Sequence, residues 1–161
     1  MAYTRKRTAK RTRPKDRTCY ETAVYLLQFR DQSEKDLTRK LKEREYTEKE
    51  IEEAMERLRD YEYVNDEDLA DELFEAYRRR AQYGDVYIHQ KLKLKGLATE
   101  KHLQLEEEIE MAAALLQKKW GMSPKLRTDF KKSASFLLRR GFSHDAVMTV
   151  MHEMDFEETE E

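Results

Sequence analysis

Apolar residues recur along this chain at the three-and-four spacing of one helical face, and no segment alternates long enough to be a strand. Ile51, Ala54, Leu58 and Tyr61 form one stripe, and Leu69, Leu73, Phe74, Tyr77 and Ala81 form another. The pattern predicts helices over 18–31, 33–44, 47–61, 65–82, 85–95, 99–119, 123–140 and 143–154. A break near Ile109 and Glu110 would divide the sixth and make nine. The expected fold class is all-α.

Polar residues mark where these helices start and stop. Ser33 and Thr47 stand at N-cap positions, and Thr47 with Glu50 has the capping-box pattern, in which two side chains satisfy opposite backbone donors. Asn65-Asp-Glu-Asp68 clusters acids where a helix dipole favours them. Ser123-Pro124 offers an N-cap followed by proline at the first helical position, and Thr99 and Ser143 are placed to cap the helices after Gly96 and Gly141. Those two glycines suit the left-handed position that ends a helix, with Lys and Arg just before them.

The same phrase occurs three times. Leu37 to Tyr46, Ile88 to Leu97 and Ser133 to Phe142 each carry an apolar face and a basic last turn. Glu45, Gly96 and Gly141 then fall in register, with spacings of 51 and 45 residues. This predicts three tandem three-helix repeats over 18–64, 65–109 and 110–154, forming an elongated, curved modular bundle. A unit of three short helices buries only a handful of side chains, so neighbouring units are expected to support one another. Glu45 stands where the other copies have glycine, so the first copy is expected to be capped differently.

Composition sharpens this picture. Charged residues are 41% of the 161 and hydrophobic ones 39%, so cores are thin and surfaces extensive. Four glycines and two prolines leave little room for an all-β fold or long loops. The net charge of −2 conceals a polarity: residues 1–17 hold eight Lys/Arg against one Asp, and 153–161 hold six acids. The chain therefore reads as a basic disordered arm, 1–17, then the repeats, then an acidic tail, 155–161. Cys19 is the only cysteine, which excludes an intrachain disulfide and fits a reducing compartment. The longest apolar run, Met111 to Leu116, is too short to span a bilayer, so the expected location is the cytoplasm.

Catalytic chemistry has little to stand on. His89, His102, His144 and His152 are scattered, with no triad or zinc-site spacing, and there is no Gly-rich phosphate loop. No cofactor, metal or enzymatic activity is expected. The acidic runs Glu48–Glu53, Asp66–Glu72 and Glu106–Glu110 read as solvated helix faces. The basic clusters carry more promise: Arg78 to Arg80 end one helix, Lys91, Lys93 and Lys95 end the next, and eight Lys/Arg populate the last third. If neighbouring units pack in the same sense, these helix ends line up as a basic stripe for a polyanion or an acidic protein groove. The plain alternative is that they offset helix C-terminal dipoles. Among the aromatics, Tyr83 and then Tyr87 are the candidates for a contact, because aromatics at helical spacing otherwise serve the core. No helix carries the polar first turn of a sequence-reading DNA helix.

Several ordered segments are similar to one family. Tyr63-Val-Asn-Asp-Glu67, Arg78-x-Arg80-x-x-Tyr83-Gly84, Ile88-x-Gln90-x-Leu92-x-x-Lys95-Gly96 and Phe136-Leu-Leu-x-Arg140-Gly141-Phe142 resemble the RecX family of bacterial RecA regulators, from about Ala23 to Met154. The chain departs from the family pattern at Asp85, where proline is common, and at Tyr87 and His89, where arginines often flank the isoleucine. The resemblance implies a non-enzymatic protein that binds the RecA filament on single-stranded DNA and suppresses its ATPase, strand-exchange and co-protease activities; the polar helix faces point to a monomer. Arg78, Arg80, Tyr83, Lys91, Lys95, Lys131, Lys132, Arg139 and Arg140 are the candidate contacts to acidic groove surface or DNA phosphates. The competing class is a general nucleic-acid-binding protein that uses the basic arm and stripe.

Overall fold

The computed structural model describes residues 16–154; residues 1–15 of the basic arm and the whole acidic tail lie outside the described residues. The fold is all-α. Eight α-helices follow in order: α1 (Cys19–Leu27), α2 (Glu34–Lys42), α3 (Glu48–Asp60), α4 (Asp66–Arg80), α5 (Asp85–Leu94), α6 (Leu105–Met122), α7 (Phe130–Arg139) and α8 (His144–Glu153). A 3-10 turn, Pro124–Thr128, stands between α6 and α7, and no strand occurs among the described residues. The contacts divide the chain into two units, one ending at Leu69 and one beginning at Ala70.

The first unit packs α1, α2 and α3 against one another. Ala23, Leu37, Leu41, Ile51, Ala54, Met55, Leu58 and Val64 form its core, together with the buried Cys19. Each helix begins on a side-chain cap: Thr18 accepts from the Glu21 N–H, Ser33 from Asp36 and Thr47 from Glu50, and Thr18 and Thr47 complete capping boxes. The polar groups admitted to this core are satisfied. Tyr46 Oη lies 2.6 Å from Thr22 Oγ1 and donates to the Arg17 carbonyl at 3.0 Å.

In the second unit α6 packs along α8; α7 packs against both, and the 3-10 turn packs against α6 and α7. Ala112, Leu116, Trp120, Leu137, Phe142, Val147, Val150 and Met151 form the core. Trp120 Nε1 donates to the buried Ser133 Oγ at 3.1 Å, and Ser133 Oγ donates to the Leu126 carbonyl at 2.9 Å. The hydroxyl of the third repeated phrase thus stands where the other two have Leu37 and Ile88, all three fully buried.

The three phrases end alike. The Tyr46, Leu97 and Phe142 N–H groups donate back to the Leu41, Leu92 and Leu137 carbonyls, and the residues between, Glu45, Gly96 and Gly141, have φ of 66°, 71° and 82°. This is the Schellman closure, with its apolar pair buried each time. The expectation of a different cap at Glu45 is therefore corrected: its exposed glutamate takes the same left-handed conformation.

Three other expectations also change. Thr99 does not cap a helix; its Oγ1 donates to Asp71 Oδ1 at 2.6 Å, and residues 97–104 run without regular structure. The sixth helix instead starts at Leu105 behind Gln104, whose N–H donates to Glu107 Oε2 at 2.9 Å. It continues unbroken through Ile109 and Glu110, where no residue interrupts the backbone ladder, so no ninth α-helix arises there. The break falls later, because Pro124 disfavours helical backbone at Ser123; a 3-10 turn follows, and Asp129 caps α7 by accepting the Lys132 N–H at 2.9 Å.

Candidate functional site: a ladder of rings and cations

The site lies in the second unit, where the α4–α5 turn meets the α7–α8 turn. Gly84 N–H donates to the Arg140 carbonyl at 2.9 Å, and Val86 N–H donates to the Gly141 carbonyl at 3.1 Å. The backbones approach so closely that a Cβ on Gly84 would overlap the Gly141 carbonyl and Phe142 Cα. One on Gly141 would overlap the backbone of Tyr87. Here both glycines are required by what docks on them.

A buried carboxylate closes the same junction. Glu108 is only 3% exposed. Its Oε1 accepts the Asp85 N–H at 3.0 Å and the Ser143 N–H at 3.3 Å, and its Oε2 accepts Ser143 Oγ at 2.6 Å. Asp85 opens α5 and Ser143 caps α8, so one anion serves two helix N-termini, where backbone N–H groups and the dipole both favour negative charge. The expectation that Glu106–Glu110 is merely a solvated face is corrected. Glu108 lies four residues before Ala112, with Leu116 and Trp120 continuing the same buried stripe. That spacing was the available signal.

The neighbouring Glu107 is occupied too. Arg78 Nε and Nη2 donate to Glu107 Oε1 and Oε2 at 2.8 and 2.6 Å, and Nη1 reaches Glu75 Oε1 at 3.3 Å. The fork ties α4 to α6. The hydrogen bond from Arg78 holds the Glu107 carboxyl below its usual range, and the reciprocal bond raises Arg78. Lys101 Nζ, 3.1 Å from Glu75, lowers that carboxyl as well. Arg78 is therefore already committed to two internal carboxylates.

Over the glycine junction, rings and cations alternate. Tyr83 and Tyr87 are stacked, with centroids 3.8 Å apart and planes 7° from parallel, and Tyr77 meets both edge-on at 6.3 and 6.2 Å. Lys91 Nζ lies 5.2 Å from the Tyr87 centroid. On the other side the Arg140 guanidinium sits 5.1 Å from Tyr83 and 5.4 Å from Phe136, whose ring is 5.5 Å from Lys119 Nζ. The order is Lys91, Tyr87, Tyr83, Arg140, Phe136, Lys119. Arg140 also donates to the Gln82 carbonyl at 3.4 Å. Among the described residues none of these three cations is held by a carboxylate. Their charge is oriented by π faces rather than neutralised.

Of the nine candidates, Tyr83, Lys91 and Arg140 thus come together. Arg80 is exposed at the end of α4, and Lys95 is half-buried at the end of α5. Lys131 and Lys132 are exposed in the first turn of α7, about 13 Å along the helix from Arg140. Lys132 pairs with Asp129 at 3.2 Å, and the backbone N–H of Lys132 is the main reason the Asp129 carboxyl is lowered. Arg139 is exposed beside Arg140. Phe136 and Lys119 are members that the sequence did not single out, because Ser123-Pro124 marks a turn there without showing which side chains of α6 and α7 it brings together.

The comparisons with known proteins decide the family. Residues 19–58 match the RecX first three-helix domain, and residues 106–151 match the RecX third three-helix domain. A regulatory protein RecX of Actinobacillus pleuropneumoniae is 34% identical over 155 residues, spanning 89% of this chain and 96% of its own length. This chain belongs to the RecX family. The RecX-family regulatory protein of Trichlorobacter lovleyi is 29% identical, covering 80% of this chain and 90% of the relative. In fold, the chain is similar to the crystal structure of RecX from Lactobacillus salivarius, with a TM-score of 0.74, 24% identity, and 86% and 96% of the two chains covered. Three neighbouring positions at the start of α5 all make specific contacts: Tyr87 stacks in the ladder, and Asp85 and His89 bind the segment before α6. No helix among the described residues is long and apolar enough to cross a membrane.

Proposed function

We propose that this chain is a regulator of the RecA recombinase that binds the RecA–single-stranded-DNA filament along its helical groove. Binding inhibits the filament's ATPase, strand-exchange and co-protease activities and so modulates recombination and the SOS response. The observation that supports this reading most is the RecX match, which runs over 89% of the chain rather than one repeat. The ladder supplies a physical means. Lys91, Arg140 and Lys119 present uncompensated charge on a platform of rings, suited to acidic groove surface or to phosphates flanking bases. Arg80, Lys95, Lys131, Lys132 and Arg139 add weaker contacts around it, and Arg78 ties α4 to α6 through Glu107. Repeats that each bind weakly bind well when linked, because the second contact is made at high effective concentration. The protein acts as a cytoplasmic monomer, without catalysis of its own.

The test is single-stranded-DNA-dependent ATP hydrolysis by RecA from the same source, measured while this protein is titrated in. Inhibition well below one molecule per RecA protomer is the expected result. No effect at equimolar protein, with the helical circular-dichroism spectrum intact, overturns the reading. Deleting residues 1–17 separates the nucleic-acid-binding alternative: filament inhibition persists if the repeats carry the function, and disappears with DNA affinity if the arm does.

A further inference from the structure

Asp85 and His89 of α5 converge with a residue from the irregular segment before α6. Asp85 Oδ2 lies 2.8 Å from His102 Nδ1 and 3.6 Å from His89 Nε2. The three ligand-type atoms all lie within 4.8 Å of one another. The imidazole rings of His89 and His102 stack at 4.5 Å, 24° from parallel, so both nitrogens face the same carboxylate. We propose that Asp85, His89 and His102 form a binding site for a borderline divalent transition ion, zinc first.

The geometry is close to what such an ion needs. Tetrahedral zinc with bonds of about 2.0–2.1 Å sets neighbouring ligand atoms about 3.4 Å apart. The two carboxylate–imidazole pairs stand at 2.8 and 3.6 Å and the third pair within 4.8 Å, so side-chain rotations bring the triad to zinc. Two imidazoles and one carboxylate suit zinc, nickel or cobalt better than magnesium or calcium, which favour all-oxygen sets. Asp85 and His89 are one helical turn apart on α5, and its buried junction with Glu108 holds the first ligand in place. Asp85 Oδ1 accepts the Leu103 N–H at 2.7 Å, a partner that fixes the carboxylate with Oδ2 turned to the histidines. The Lys101 carbonyl, 3.0 Å from His89 Nε2, or a water completes the shell. Ligation uses the neutral tautomers with hydrogen on His102 Nε2 and His89 Nδ1, so that His102 Nδ1 and His89 Nε2 offer their lone pairs to the ion.

The consequence is structural. Residues 97–104 replace the third helix expected in the middle repeat, and only Leu97 and Leu103 of that segment are buried. A metal bridging α5 to His102 cross-links the repeat where its apolar core is thinnest.

The full-length chain, stripped with a chelator, is titrated with zinc chloride in competition with a chromophoric zinc indicator. One tight ion per chain is expected, with zinc raising the melting temperature and cobalt giving visible d–d bands. Exposed His102 is the variant that leaves the core alone. His102→Gln is expected to weaken zinc by more than about 100-fold, beyond the loss typical of an outer-shell partner, and to abolish the thermal shift. The double variant His144→Gln/His152→Gln is expected to keep both. Equal zinc affinity in His102→Gln and the parent, or zinc no tighter than the indicator's detection limit in the parent, overturns the proposal. Neither result depends on RecA, so this site and the proposed function fail separately.

Discussion

The ends of α2 and α7 have the same backbone closure and different demands. Both place a residue in the left-handed region between a buried leucine and a buried aromatic, yet one is Glu45 and the other Gly141. At α2 the residue is exposed, so a side chain is accommodated at the cost of an unfavourable φ. At α7 the backbone of Tyr87 lies directly on it. Glycine in a helix closure is therefore demanded by two separate causes, conformation and close approach, and only the second makes it irreplaceable here.

Exchanging the two residues sharpens this comparison most. Gly141→Ala is expected to destabilise the protein by about 3 kcal/mol or more, through positive φ and overlap with Tyr87, while Glu45→Gly is expected to be neutral or stabilising by about 0.5–1 kcal/mol. Chemical denaturation of both variants checks it. Equal effects at the two ends would remove the close-approach argument.

Glu108→Ala follows, with an expected loss of about 2–3 kcal/mol. It leaves the Asp85 and Ser143 N–H groups and the Ser143 hydroxyl without their acceptor in a buried site. The exposed Glu43→Ala, which loses only a surface pair with Arg39, is the control and is expected to cost under about 0.5 kcal/mol.

A smaller effect tests the Arg78 fork. Glu107 has a folded pKa below its ordinary value of 4.5, so its contribution is fully present above that pH and fades as the pH falls through the lower folded value. Thermal melts from pH 6 down to pH 3 are expected to show this acid-sensitive share, and Arg78→Ala to remove it, lowering stability at neutral pH by about 1 kcal/mol. Unchanged acid sensitivity in Arg78→Ala would contradict the assignment.

What was legible in the sequence followed from local chemistry. Ser33, Thr47, Asn65 and Ser143 cap as their positions imply, because a short polar side chain before an apolar stripe needs no tertiary help to find its backbone donor. The register of the three phrases was equally local. Thr99 and Glu108 were misread because distant partners claim them: Asp71 takes the threonine hydroxyl, and two helix N-termini take the carboxylate. The candidate site divides the same way. Tyr83, Lys91 and Arg140 were visible as a ring and two cations at helix ends, but only the Gly84–Gly141 approach aligns them, and Arg78 was hidden in its pairing with Glu107. Basic residues alone do not reveal which charges are already answered.

The central claim is that the ladder carries the contact with the RecA filament. Lys91→Glu combined with Lys119→Glu reverses both end charges without touching the glycine junction or Glu108. RecA ATP hydrolysis on single-stranded DNA should then require at least about tenfold more of the double variant for half inhibition than of the parent, with unchanged melting temperatures. Equal inhibition by the two proteins would contradict the account and move the contact elsewhere on the repeats.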